Sequence, residues 1–178
     1  MTKGFNIVRY PVAKPKKTAT AAALAAMMAI AVPLITTWEG VENVPYTDIV
    51  GVRTVCVGKT QGVEERYYSD EECAQMLRDR IPDYAMPVAD AMPGIENSPY
   101  EWAAYTSAAY NFGAAAFRRS SMVRLYNQGK RVEACRFLRN YNRAGGQVVR
   151  GLQFRREGDG ARLGEYEVCL AGAITTRF

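Results

Sequence analysis

The chain has 178 residues, enough for one domain with a sizeable core and an appendage. It contains no histidine, which excludes His-based triads, His-ligated metal sites and imidazole acid–base chemistry. Its formal net charge of +5 comes from one end, because residues 1–38 carry Lys3, Arg9, Lys14, Lys16 and Lys17 and no acid. The remainder balances, so the overall charge is not the footprint of a nucleic-acid-binding domain.

Residues 1–17 read as a polar, basic tail without periodicity. Residues 21–35, A-A-A-L-A-A-M-M-A-I-A-V-P-L-I, are wholly apolar, and the uncharged run extends over 18–37. About twenty such residues just span a bilayer core. The run is weakly hydrophobic, because eight of the twenty are Ala. Lysines at 14, 16 and 17 would keep its N-terminus in the cytoplasm. A cleavable signal peptide with a site near Ala29-Ile30-Ala31, a buried core helix and an uncleaved membrane anchor all remain open readings.

Glu39 to Gly58 follows, E-G-V-E-N-V-P-Y-T-D-I-V-G-V-R-T-V-C-V-G. Gly40 suits the residue just past a helix end. A carboxylate at Glu39 then faces the negative end of the helix dipole, with Trp38 and Val41 as apolar flanks, and both effects raise its expected pKa. Asp48 sits in a Pro-Tyr-Thr-Asp turn where backbone N–H groups and water keep it ionised. Thr54 falls on a strand beyond a bend at Gly51, with Val52 and Cys56 on the same face. Two carboxyls in contrasting environments are what glycosidic cleavage needs, one to give a proton and one to handle water or the sugar cation. A hydroxyl at Thr54 can hold a water between them.

Further on, Ser69-Asp-Glu-Glu72 is a capping box that starts a helix near Asp70, limited to about three turns by Pro82 and Pro87. Pro93-Gly94 and Ser98-Pro99 punctuate a loop. An Ala- and Tyr-rich helix then runs to Asn111-Phe112-Gly113, and Ser120-Ser121 open another. Charge is segregated: residues 39–101 hold 13 acids against 5 bases, and residues 118–156 hold 11 bases against Glu133 alone. That basic stretch can steer an anionic polymer, hold two lobes together or form a solvated surface. Four cysteines (Cys56, Cys73, Cys135, Cys169) without a C-x-x-C pair fit disulfides better than zinc, and no residue set points to a metal or cofactor.

Glu39, Asp48 and Thr54 match, without a gap, the Glu, eight residues, Asp, five residues, Thr pattern of the phage lysozymes of glycoside hydrolase family 24. The string D-I-V-G-V-R-T-V-C-V-G-K-T resembles the lambdoid-phage endolysins of that family. The resemblance implies an α+β two-lobed fold, with a small β-hairpin lobe and a larger helical lobe after an N-terminal anchor helix. It implies hydrolysis of the β-1,4 bond between N-acetylmuramic acid and N-acetylglucosamine, without a cofactor, by a monomer. Peptidoglycan, the host inner membrane and the export machinery are the implied partners. Asn111, Phe117 and Ser121 are similarly placed to a cleft-lining segment of the family, and Phe117 equally fits core packing. Ala144-Gly-Gly146 and Gly151-Leu-x-x-Arg155-Arg156-Glu157 resemble another family segment, in which one arginine reaches Glu39 or joins the lobes. Four cysteines allow three pairings; lobe membership favours Cys56 with Cys73 and Cys135 with Cys169, and buried free thiols are the alternative.

The same resemblance favours a signal-anchor-release segment at 18–37, between a cytoplasmic tail (1–17) and a catalytic domain (38–178). Such a chain first sits in the inner membrane and later enters the periplasm. Residues 32–38 cannot lie in lipid and also build the helix leading to Glu39, so tethering is expected to keep the enzyme off. Two departures stand out. Tyr141 occupies a family tryptophan position, and residues 158–164 look like an insertion that breaks the last helix. A membrane-anchored binding module that kept the fold and lost activity, and a lytic transglycosylase, are the competing readings.

Overall fold

A computed structural model of the protein describes residues 20–48 and 51–175. Residues 1–19, which include the basic tail and the start of the uncharged run, and residues 49–50 and 176–178 lie outside the described residues. The long N-terminal helix α1 (Ala21–Glu39) is capped by Thr20, whose hydroxyl accepts the Ala23 N–H at 3.2 Å. It buries Met27, Ala31, Leu34 and Ile35, positions three and four apart that form one stripe. Ala22, Ala25, Ala26, Ala29 and Pro33 are exposed. Pro33 has no N–H to return to the preceding turn, and its exposed face leaves the freed carbonyl open to water. The expected anchor is thus half a core helix: one stripe packs into the core and the opposite face is largely alanine.

The small lobe is a hairpin, β1 (Glu42–Thr47) antiparallel to β2 (Arg53–Cys56), with Tyr46 opposite Thr54 and Thr47 opposite Arg53. The register shifts between Glu42 and Tyr46, where Pro45 cannot donate to the ladder. The helices α2 (Asp70–Arg80) and α3 (Pro82–Ala91) follow. Both halves of the expected capping box are present: the Ser69 hydroxyl accepts the Glu72 N–H and Glu72 accepts the Ser69 N–H. Val55, Cys56, Tyr68 and Cys73 form a separate small core beneath the hairpin, closed by the Cys56–Cys73 disulfide.

The large lobe is arranged around α4 (Pro99–Phe112), in which every residue from Glu101 to Ala109 is buried. A helix buried all round needs neighbours on each side, and α1, α3 and α9 (Glu165–Thr175) supply them. Between α4 and α9 come α5 (Ala114–Arg118), α6 (Ser121–Asn127), α7 (Arg131–Phe137), the short hairpin β3 (Arg143–Ala144) and β4 (Gln147–Val148), and α8 (Arg150–Glu157). Cys135 and Cys169 bond α7 to α9, as lobe membership implied. The buried Glu101 pairs with Arg131 on α7. Residues 158–164 separate α8 from α9.

Candidate active site

Glu39 is the last residue of α1. Gly40 ends the helix with φ of 78° and returns its N–H to the Thr36 carbonyl at 3.0 Å. The Glu39 side chain is 30% exposed, and the Arg155 Nη1 donates to its Oε1 at 2.6 Å. The helix dipole and Trp38 are local to Glu39; Arg155 is not. Of the two arginines in the Arg155-Arg156 pair, Arg155 meets this acid.

Arg155 is itself built in. Its Nε donates to Glu165 Oε1 at 3.0 Å, and its Nη2 donates to the Ser107 carbonyl and hydroxyl at 3.2 and 3.3 Å. The Ser107 hydroxyl in turn donates to Glu165 Oε1 at 2.7 Å. Arg156 donates to the other Glu165 oxygen, to Asn111 Oδ1 and, at 2.9 Å, to the Tyr141 carbonyl. Arg155, Arg156 and Glu165 are 3%, 1% and 0% exposed, so this is a desolvated ionic cluster in which each charge has a partner. Burial pulls the Arg155 pKa down, but the charges of Glu165 and Glu39 outweigh it and leave it raised. Glu165 begins α9, where the helix dipole favours a negative charge.

Asp48 is held by its own turn. Its N–H donates to the Val52 carbonyl at 3.0 Å, its carbonyl accepts the Gly51 N–H at 3.0 Å, and its Oδ1 accepts the Val52 N–H at 2.8 Å. Gly51 takes φ of 82°, as a bend requires. Thr54 is 4% exposed and donates to the same Val52 carbonyl at 3.2 Å. It braces the Asp48 turn from below.

A groove of about 470 Å³ lies between the lobes, lined by Val57, Lys59 and Gln61 from the hairpin exit, Arg80 from α2, and Tyr84 and Tyr110 beyond it. The Tyr110 hydroxyl donates to the Val57 carbonyl at 2.6 Å, and Arg80 Nη1 donates to the Gly58 carbonyl at 2.7 Å, so both tie the hairpin to the helices. Tyr84 and Tyr110 pack with ring centroids 4.9 Å apart. Neither Glu39 nor Asp48 lines this volume. Tyr110 links it to the acid: burial raises the phenol pKa first, Arg80 opposes, and the Glu39 charge raises it further.

The three residues placed by family position as cleft contacts fare differently. Phe117 is fully buried, packed against Tyr105 and Phe112, and has no surface to offer a substrate; this corrects the expectation of a contact there. Asn111 is half-buried with its carbonyl oxygen occupied by Arg156. Ser121 is half-buried at the start of α6, while Ser120 supplies the cap. Glu165, Ser107 and Tyr110 were not singled out in the sequence. A Glu four residues before a bonded Cys was the available signal for Glu165, and a Tyr beside Asn111 for Tyr110. Among the described residues Glu101, Cys135 and Cys169 cluster as metal ligands might, but the cysteines are bonded to each other and Glu101 holds Arg131.

A sequence-family model described as phage lysozyme matches residues 36–159. The SAR-endolysin of Enterobacteria phage P21 is 38% identical over 136 residues, covering 75% of this chain and 78% of that protein. The SAR-endolysin of Escherichia phage Mu is 36% identical over 121 residues, 67% of this chain and 70% of that one. In structure, the chain is similar to the active form of P1 phage endolysin Lyz, with a TM-score of 0.69 and 25% identity over 86% of this chain and 97% of that one.

Proposed function

The chain belongs to the phage lysozyme family, and from that premise we propose that it is an endolysin, a glycoside hydrolase that cleaves host peptidoglycan at the β-1,4 bond between N-acetylmuramic acid and N-acetylglucosamine. Glu39 protonates the leaving oxygen, and Asp48, on the turn braced by Thr54, activates water or stabilises the cationic sugar. The inter-lobe groove takes the glycan, with Tyr84 and Tyr110 as apolar faces for sugar rings. The observation that carries this reading is the ungapped Glu39, Asp48, Thr54 spacing on a fold in which Glu39 ends a helix and its charge acts on Tyr110, which lines that groove.

The second part of the proposal concerns α1. An 18-residue stretch of this 19-residue helix has a mean hydropathy of 1.8, long and apolar enough to cross a membrane, and its outward face is largely alanine. The protein is first tethered in the inner membrane with its N-terminus in the cytoplasm, then released to the periplasm, where α1 docks on α4 and carries Glu39 into place. Weak hydrophobicity makes the anchor reversible.

Product analysis on purified peptidoglycan tests the chemistry. Hydrolysis yields reducing N-acetylmuramic acid ends; 1,6-anhydro ends would assign the reaction to a transglycosylase, and no cleavage would leave only a binding module. Family resemblance points to inversion at the anomeric carbon, which the first-formed anomer reports.

A further inference from the structure

Residues 158–164, between α8 and α9, lie against the end of α1. We propose that this loop is the seat for the last turn of α1 and that Arg162 is a positioning residue for Glu39. The inference rests on Glu39 being the catalytic acid.

The loop is built rather than slack. Asp159 Oδ1 accepts the N–H groups of Ala161 and Arg162 at 3.1 and 2.7 Å, and Asp159 Oδ2 accepts from Arg162 Nε at 2.8 Å. Its two ends nearly touch: a Cβ on Gly164 would lie 2.1 Å from the Gly158 nitrogen, so only glycine fits. The Gly164 N–H donates to Glu167 Oε2 at 2.9 Å, which pins the loop to the start of α9.

Three contacts then reach the helix end. The Trp38 indole N–H donates to the Leu163 carbonyl at 3.1 Å. The Arg162 guanidinium lies over the Trp38 ring, 4.3 Å from its centroid. Arg162 Nη1 donates to the Thr37 carbonyl at 3.4 Å. That carbonyl is one of the four that a helix end leaves without a partner, and a cation suits the negative end of the dipole. Trp38 directly precedes Glu39. The loop therefore holds the backbone that carries Glu39, while Arg155, on the helix leading into the loop, holds its carboxylate. While α1 lies in a membrane the seat lacks its occupant, so release delivers both contacts together.

The test uses the released full-length protein with Arg162→Ala and Arg162→Lys. Trp102 is fully buried, so quenching by acrylamide, a neutral quencher, reports mainly on Trp38. Misplacing a reacting group by an ångström can cost about a hundredfold, so a partial loss of support in Arg162→Ala should lower kcat about tenfold. KM and Tm should hold while Trp38 quenching rises, and Arg162→Lys, which keeps a cation over the ring, should recover most of both signals. Unchanged kcat, a fall in kcat without a change in quenching, or a Tm loss that tracks the activity loss would each overturn the seat. Glu39→Gln separates the two readings. If that variant stays active, the catalytic assignment fails, while the quenching data still decide whether the loop receives the helix.

Discussion

Glu39 and Asp48 are held in opposite ways. Asp48 is fixed by residues three and four positions ahead of it, within one turn of the small hairpin. Glu39 is fixed by partners 116 residues away through Arg155, and its neighbour Trp38 by a carbonyl 125 residues away. The first arrangement survives as long as the hairpin does. The second exists only when α1 lies on the helical lobe. An acid held locally cannot be switched by moving a distant element, whereas an acid held at long range can. If release seats α1, it acts on Glu39 through these long-range partners.

The largest expected effect removes the switched acid itself. Glu39→Gln keeps the shape and loses the proton donor, and kcat on purified peptidoglycan should fall by about 10³-fold or more. Asp48→Asn should fall by about 10²-fold, with its turn retained because the Asn side-chain oxygen still accepts the Val52 N–H. An equal, small loss in both would break the comparison by showing that neither acid carries the chemistry.

Next is the support beneath Glu39. Glu165→Gln leaves two buried guanidinium groups short of a counter-charge, and removing one partner of a buried ion pair costs about 3–5 kcal/mol. Urea unfolding should show that loss, together with a drop in kcat. A fully stable, fully active variant would mean that the buried cluster does not hold Glu39.

The smallest effect sharpens the other side of the comparison. At the start of α2, below the hairpin, the Glu72 carboxyl is pulled down to about 2, chiefly by the Arg66 guanidinium and then by the Ser69 N–H. A carboxyl lowered in the folded state contributes stability above its ordinary value of 4.5, and that stability is lost as pH falls through about 2. The side chain is well exposed, so the contribution is modest and salt-sensitive. Acid titration of Glu72→Gln should show a flatter decline of stability between those two pH values than the parent shows. An unchanged profile would remove Glu72 as a support of the small lobe.

What was legible in the sequence follows the same division. The Asp48 turn, the bend at Gly51, the capping box at Ser69 and the helix stop at Gly40 are all short-range, and residue type and spacing specify them. The disulfide pairing needed only the lobes. Phe117 was assigned by family position, and its complete burial reflects packing against Tyr105 and Phe112 that no local pattern encodes. Glu165 escaped notice, and the 158–164 loop read only as a helix break, because their meaning lies in partners on α4, α8 and the end of α1. An insertion reads as a disruption until the surface that it meets is visible. The apolar segment at 21–35 was read mainly for its fitness for lipid. Its buried stripe of Met27, Ala31, Leu34 and Ile35 emerges only beside α4, since alanine-rich helices give little contrast between faces.

The central claim is that one helix is both anchor and active-site wall, so the two duties exclude each other. Specific activity on purified peptidoglycan, measured side by side for vesicle-bound and released protein, tests it most directly. Ala25→Leu and Ala29→Leu, both on the exposed face of α1, should shift the protein toward the bound fraction by about 0.5 kcal/mol each without touching the buried stripe. The released fraction should be at least about a hundredfold more active than the bound one, as expected for a misplaced catalytic group, in parent and variant alike. Equal specific activity in the two fractions would contradict the account.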